Sequence, residues 1–162
     1  MKQETPKKQP LIELRGIHKS FGKKVVHQGI DLDVYPGEVL ALMGGSGCGK
    51  SVLLRMMVGL EKPDRGTIRF NGQNIEKLSE EALVPIRKKI AYVFQYGALF
   101  DSFSVEENLA YPLIEHTDLK EDAIHEKVIN TLEQLGLKGT ENLYPSDLSG
   151  GMQRRVGVAR SI

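Results

Sequence analysis

The chain has 162 residues and carries 22 Lys and Arg against 21 Asp and Glu, a formal net charge of +1. That balance argues against a nucleic-acid binder, whose footprint is a basic excess, while the length is enough for a buried core. A lone cysteine, Cys48, leaves no internal disulfide to form, as in a reducing compartment, and no run approaches the roughly 20 apolar residues that span a bilayer.

Residues 1–10 are polar and Lys-rich, without the apolar stretch of a secretory signal, and read as a short tail. Leu11, Ile12, Leu14 and Ile17 form a broken alternation that predicts a strand up to Phe21, and Gly22-Lys23-Lys24 reads as a turn. A second strand is predicted over 25–34 from Ile30, Leu32 and Val34 at period two. Pro36-Gly37 turns the chain, and Val39-Leu40-Ala41-Leu42-Met43 has the continuous apolar character of a strand buried on both faces. A helix is predicted over 52–60 from Leu53, Leu54, Met57 and Val58. After a turn at Pro63–Gly66, Thr67–Phe70 and Asn71-Gly72 predict a hairpin, and Ile90–Phe94 is a further buried-strand candidate.

Beyond Gln95 the pattern becomes helical. Ser104 is an N-cap candidate with Glu106 and Glu107 in the first turn. Asp118 and Glu121 have capping-box spacing. Ile124, Val128, Leu132 and Leu135 make a stripe that Gly136 ends. The expected organisation is therefore a tail over 1–10, a core with a β subdomain over 11–95, a helical subdomain over 96–148, and a last motif with its helix over 149–162.

Gly44-Gly45-Ser46-Gly47-Cys48-Gly49-Lys50-Ser51 matches G-x-x-x-x-G-K-[ST] in full. Glycines let the backbone close around a phosphate and present successive N–H groups to it. The helix that starts near Lys50 and continues through Val52 adds unpaired N–H donors and a positive dipole end. Lys50 supplies a mobile positive charge for the β- and γ-phosphates, and the Ser51 hydroxyl can ligate Mg²⁺. Cys48 reads as a filler whose backbone N–H matters more than its sulfur, the alternative being a reactive thiol at a helix N-terminus. This loop alone does not separate kinases, GTPases and transport ATPases.

A second motif does. Leu148-Ser149-Gly150-Gly151-Met152-Gln153 places a hydroxyl and free N–H groups ahead of another helix. One phosphate group does not need two such cradles on one chain, so the second suits a nucleotide held by another subunit. With the phosphate loop, this motif resembles the L-S-G-G-x-Q signature of the ATP-binding-cassette family. The resemblance implies an α/β fold, a P-loop NTPase core with an antiparallel β subdomain and a helical insertion. It implies ATP and Mg²⁺ as cofactors, a homodimer of ATPase subunits, and a place on the cytoplasmic face of a membrane beneath a permease.

By the same resemblance Gln95 is the glutamine that touches Mg²⁺ and the attacking water, and Lys50 and Gln95 are the catalytic candidates. Phe21 falls where an aromatic stacks on adenine, and Val26 where an apolar residue lines the base. Ser149, Gly150, Gly151 and Gln153 would meet the partner subunit's nucleotide. Residues 95–109, with Gly44–Leu54, are similar to the ATPase subunits of MCE-type lipid transporters, which implies phospholipid as cargo. Leu99, Phe100 and Phe103 would then dock the permease, or else bury inside the helical subdomain.

The family also carries an Asp-Glu pair after the signature helix and a switch histidine beyond it. None of His18, His27, His116 and His125 falls at that position, and Ile162 lies within the signature helix. The expectation is a partial sequence that binds ATP without turning it over.

Overall fold

The computed structural model describes residues 9–95 and 97–162. Residues 1–8 of the expected tail, and Tyr96 of the segment after Gln95, lie outside the described residues. The fold divides into two compact units, one ending at Ile90 and one beginning at Ala91.

The first unit is built on an antiparallel sheet of four strands in the order β2-β1-β3-β4: β1 Ile12–Phe21, β2 Lys24–Val34, β3 Arg65–Phe70 and β4 Gln73–Asn74. Leu14 stands opposite Leu32 on one side and Ile68 on the other, so its side chain is fully buried. The alternation looked broken in sequence because β1 contains a bulge. Gly16 takes φ 57° there, and its N–H donates to Asp31 Oδ1 at 2.6 Å. The extra residue shifts the phase. Ile12 and Leu14 face the core before it, Ile17 and Lys19 after it. Gly66 on β3 meets the bulge so closely that a Cβ there would lie 2.4 Å from Gly16 O, and its φ is +100°. No other residue type fits.

Two helices cover the buried face: α1 Lys50–Met57 and α2 Glu80–Arg87. Leu53, Met56 and Met57 of α1 and Leu83 and Ile86 of α2 join the sheet residues in one apolar cluster. The helix α2 has no counterpart in the sequence reading. Its signal was Ser79 ahead of Glu80 and Glu81, and Pro85 inside the helix obscured it; Ser79 Oγ accepts from Ala82 N at 3.3 Å. Arg87 then donates to Val58 O at 3.2 Å and Gly59 O at 2.8 Å, satisfying carbonyls at the C-terminal end of α1.

Two expected strands do not form. Residues 39–43 and 90–94 have no ladder, and Val39 and Met43 are 98% and 93% exposed. An apolar run becomes a strand only when neighbouring strands take up its N–H and C=O groups, and among the described residues no strand runs beside either segment. The hairpin at Asn71-Gly72 is present, both residues at positive φ as that turn requires.

The second unit packs α3 Val105–His116, α4 Glu121–Gln134 and α5 Gly150–Ala159, with a short 3₁₀ turn at Pro145–Asp147. Its core is Val105, Leu109, Ile124, Val128, Leu132, Leu137, Leu148, Val156 and Ala159. Ser104 and Glu107 form a reciprocal capping box at the start of α3. The box expected at Asp118 and Glu121 is absent: Lys120 occupies the N-cap of α4, without a side-chain cap, because the helix begins at Glu121 itself. Gly136 follows α4 at φ 65°, the left-handed stop its position implied.

Asn108 is the polar centre of this unit, fully buried on α3. Its Oδ1 accepts from Phe100 N at 2.8 Å, and its Nδ2 donates to the carbonyls of Ser104, Phe100 and Phe103 at 3.0, 3.1 and 3.2 Å. Asn108→Leu would leave Phe100 N and Phe103 O without their partner, while Phe100 O and Ser104 O keep backbone donors, and should cost roughly 2–4 kcal/mol, read as a fall in the urea midpoint of the second unit. At the surface, the hydrogen bond and charge of Glu106 raise the pKa of His125 above its ordinary 6.5. The protonated ring is therefore favoured in the folded state. The stabilisation is complete below about pH 6.5 and is lost as pH rises through the higher folded value. Urea midpoints of wild type should decline from pH 6 to pH 8 more than those of His125→Gln.

Candidate functional site

In the first unit the glycine loop leads straight into α1. Gly49 is the N-cap of that helix at φ 98°, with Gly47 at φ 77° just before it. A Cβ on Gly49 would stand 2.4 Å from Val26 Cγ1 and 2.7 Å from His27 Cε1. The helix start is thus pressed directly onto β2, at a distance only glycine allows. Gly44 approaches Cys48 in the same way, a Cβ there lying 2.8 Å from Cys48 Sγ. Gly45, Ser46 and Cys48 complete the loop, with Cys48 N–H donating to Gly45 O at 3.4 Å.

Lys50 is folded back over the loop. Its Nζ donates to Gly44 O at 2.8 Å and Gly45 O at 2.9 Å and sits 3.6 Å from Cys48 Sγ. The carbonyls thus hold the ammonium over the glycines, where an anion in the cradle can exchange with them for its donors.

Phe21, Lys24, Val26, Gly47, Gly49, Lys50, Ser51 and Val52 line one pocket of about 240 Å³. Two residues singled out for a base, Phe21 and Val26, therefore share a wall with the phosphate loop. Phe21 is about half exposed at the end of β1, and Val26 is partly buried on β2. A ring and an aliphatic side chain at one end, and a cation with a row of N–H donors at the other, suit a ligand with a flat apolar part and a polyanionic part. The Ser51 hydroxyl adds an oxygen donor of the kind Mg²⁺ takes alongside phosphates. The sequence reading missed Lys24, whose signal was its place two residues before Val26 on the same strand. It also left His27 unused; that ring is buried against Gly49, and among the described residues its Nε2 has no hydrogen-bond partner.

In the second unit, Ser149 is the N-cap of α5, its Oγ accepting from Met152 N at 3.3 Å. Gly150 and Gly151 follow with open space where a Cβ would be, so the helix start presents bare backbone. Gln153 donates from Nε2 to Pro145 O at 2.7 Å, tying α5 to the turn before it. Gln95 is exposed and shares a pocket of about 450 Å³ with Leu99, Asp101 and Gln153. Gly157 packs α5 on the loop after Gln95: a Cβ there would be 2.7 Å from Gly97 Cα. Arg160 Nη2 donates to Gly97 O at 2.9 Å.

Leu99 packs partly onto the core of this unit, whereas Phe100 remains exposed. Phe100, Phe103 and Tyr111 form a ring cluster with centroids 5.1–6.1 Å apart, and Arg160 lies over Phe100 at 5.7 Å. Tyr111 was not legible as part of this patch. It sits on α3 one turn after Asn108, whose side chain bonds the backbone of Phe100 and Phe103.

The chain matches the family described as ABC transporter over residues 27–162. It is 43% identical over 152 residues to the intermembrane phospholipid transport system ATP-binding protein MlaF of Escherichia coli strain K12, covering 94% of this chain and 56% of that protein. It is 43% identical over 151 residues to the probable ribonucleotide transport ATP-binding protein mkl of Mycobacterium leprae strain TN, covering 93% and 44%. The chain thus spans about half the length of the curated relatives it matches. Among solved structures, a dimeric post-hydrolysis state of the ATP-binding cassette MJ0796 bound to ADP and Pi superposes with a TM-score of 0.86 at 29% identity, covering 93% of this chain and 68% of that one.

The contact at Gly49 can be tested directly. Gly49→Ala forces a side chain into a left-handed backbone and against β2, and should cost roughly 2–4 kcal/mol. A lowered thermal midpoint together with loss of phosphate or nucleotide binding by calorimetry is the expected outcome.

Proposed function

We propose a function that proceeds from one premise: this chain belongs to the ABC transporter family, whose match runs over residues 27–162. Its fold is accordingly α/β, a P-loop NTPase core with an antiparallel β subdomain and a helical insertion. On this reading the chain is the ATP-binding part of a transporter ATPase, with phospholipid as the cargo class. The observation that carries it is the single pocket joining Phe21 and Val26 to Gly47, Gly49, Lys50 and Ser51.

The residues fit MgATP in a stated order. Phe21 would stack on adenine and Val26 line its edge, since an aromatic face accepts any purine plane. The N–H groups of residues 44–51 and the positive end of α1 would hold the phosphates. Lys50 would exchange its bonds to the Gly44 and Gly45 carbonyls for the β- and γ-phosphate oxygens. Ser51 would ligate Mg²⁺, and Gln95 carries the amide oxygen to which the family resemblance gives a Mg²⁺-contacting role. Bound MgATP supplies the triphosphate charge and the binding energy that favours a closed pair of subunits over an open one.

Ser149, Gly150, Gly151 and Gln153 would meet the nucleotide held by a second copy, through the open N-terminus of α5. The patch of Phe100, Phe103 and Tyr111, with Leu99 at its base, would receive a membrane permease from the cytoplasmic side. The phospholipid assignment rests on the likeness to MlaF and on residues 95–109. The name of the Mycobacterium relative points to a ribonucleotide cargo instead. Within the 162 residues no side chain corresponds to the family's general base or switch histidine. This chain by itself should therefore bind ATP with background turnover.

Titration of MgATP should show saturable binding, weakened about tenfold to a hundredfold by Lys50→Ala, the loss of a charge-assisted contact. Ser149→Arg should leave nucleotide binding by each subunit in place and abolish ATP-driven dimerisation in sedimentation velocity. Dimerisation that survives Ser149→Arg would rule out the shared-nucleotide arrangement. Turnover by the 162-residue chain that disappears in Lys50→Ala would rule out the binding-only reading.

A further inference from the structure

Lys19 is a buried cation that the reading above does not use. Its side chain is 10% exposed, although lysines are rarely buried without partners. It lies two residues before Phe21 on β1, and the bulge at Gly16 puts both on the face that also carries Ile17. The ammonium is held from behind by the turn that follows α1. Its Nζ donates to Lys62 O at 2.7 Å, pairs with Glu61 Oε1 at 2.6 Å, and stands 3.7 Å from Asp64 Oδ1. Asp64 also fastens that turn to β1, accepting from Ser20 N at 2.7 Å and donating its own N–H to His18 O at 2.9 Å.

The ammonium also lies over the Phe21 ring, 5.0 Å from Nζ to centroid. That is a cation–π distance, with the ammonium itself buried. Phe21 lines the pocket of the phosphate loop, and Lys19 is not among the residues that line it. Phe21 is half exposed and ends its strand.

We propose that Lys19 is a positioning residue for the nucleotide base: fixed by Glu61 and the Lys62 carbonyl, it holds the Phe21 ring as the wall on which the base stacks. This rests on the assignment of the pocket to ATP. The cation draws π density toward itself and leaves the pocket face of the ring better suited to an electron-rich purine. The base end and the phosphate end of the ligand are then set by opposite ends of α1. The loop before the helix holds the phosphates, and the turn after it orients the ring.

The test separates base from phosphate. Calorimetric titration of the chain with MgATP and with magnesium tripolyphosphate gives two affinities, of which only the first depends on Phe21. Lys19→Met should weaken ATP about three- to tenfold while changing tripolyphosphate less than about twofold. In a Phe21→Ala background the same substitution should cause no further loss of ATP affinity. Equal weakening of both ligands by Lys19→Met, no weakening of either, or an undiminished effect in Phe21→Ala would overturn the proposal. Should Lys19→Met not fold, Lys19→Arg decides: it keeps the cation and donors, so an ATP-to-tripolyphosphate ratio within about twofold of wild type is expected, and a larger change overturns it. Failure of the unmodified chain to prefer ATP over tripolyphosphate would be a different result, refuting the nucleotide pocket itself.

Discussion

The contact on which the first unit's site depends is the approach of Gly49 to β2. A helix N-terminus is an anion cradle only if its N–H groups are held open and aimed, and here the aim comes from seating the N-cap residue against Val26 and His27 with no Cβ between. The same contact sets the size of the pocket, because Val26 is at once the floor under Gly49 and one of the pocket's lining residues. Lys50 and Ser51 follow in the first turn of α1 and inherit their positions from it.

A second constraint acts at the far end of the pocket. The bulge in β1 spends one residue to change which side chains face inward, and Gly66 is required on β3 to let it pass. Without that shift Ile17, Lys19 and Phe21 would turn to the opposite face. The bulge therefore does for Phe21 what Gly49 does for Lys50. Both are backbone devices, and in both a glycine permits an approach that a side chain would block.

The second unit solves a different problem with similar means. Asn108 closes the loop after Gln95 by satisfying four backbone groups, and Gly157 lets α5 lie directly on Gly97. Charge then organises the surface of α3 and α4 through Glu106 and His125. The start of α5 is left with bare backbone at Gly150 and Gly151, a surface with donors and no side chains to cover them.

Local chemistry was legible from residues alone. The glycines, Lys50 and Ser51 define their loop within eight positions, Ser104 ahead of Glu106 and Glu107 marks a helix start within four, and Asn71-Gly72 a turn within two, because each rests on φ preferences and hydrogen bonds that close over a few residues. Ser79 carried an equally local cap, hidden only by Pro85. What depends on pairing across the chain was not legible. The apolar runs 39–43 and 90–94 read as strands, yet a strand exists only beside another, and the described residues provide none there. The phase shift at Gly16, the burial of Lys19 against Glu61 and Phe21, and the gathering of Phe21 with the phosphate loop in one pocket were likewise decided by tertiary structure. Sequence fixes which groups are available. Distances between residues remote in the chain follow only from how the sheet pairs and what packs upon it.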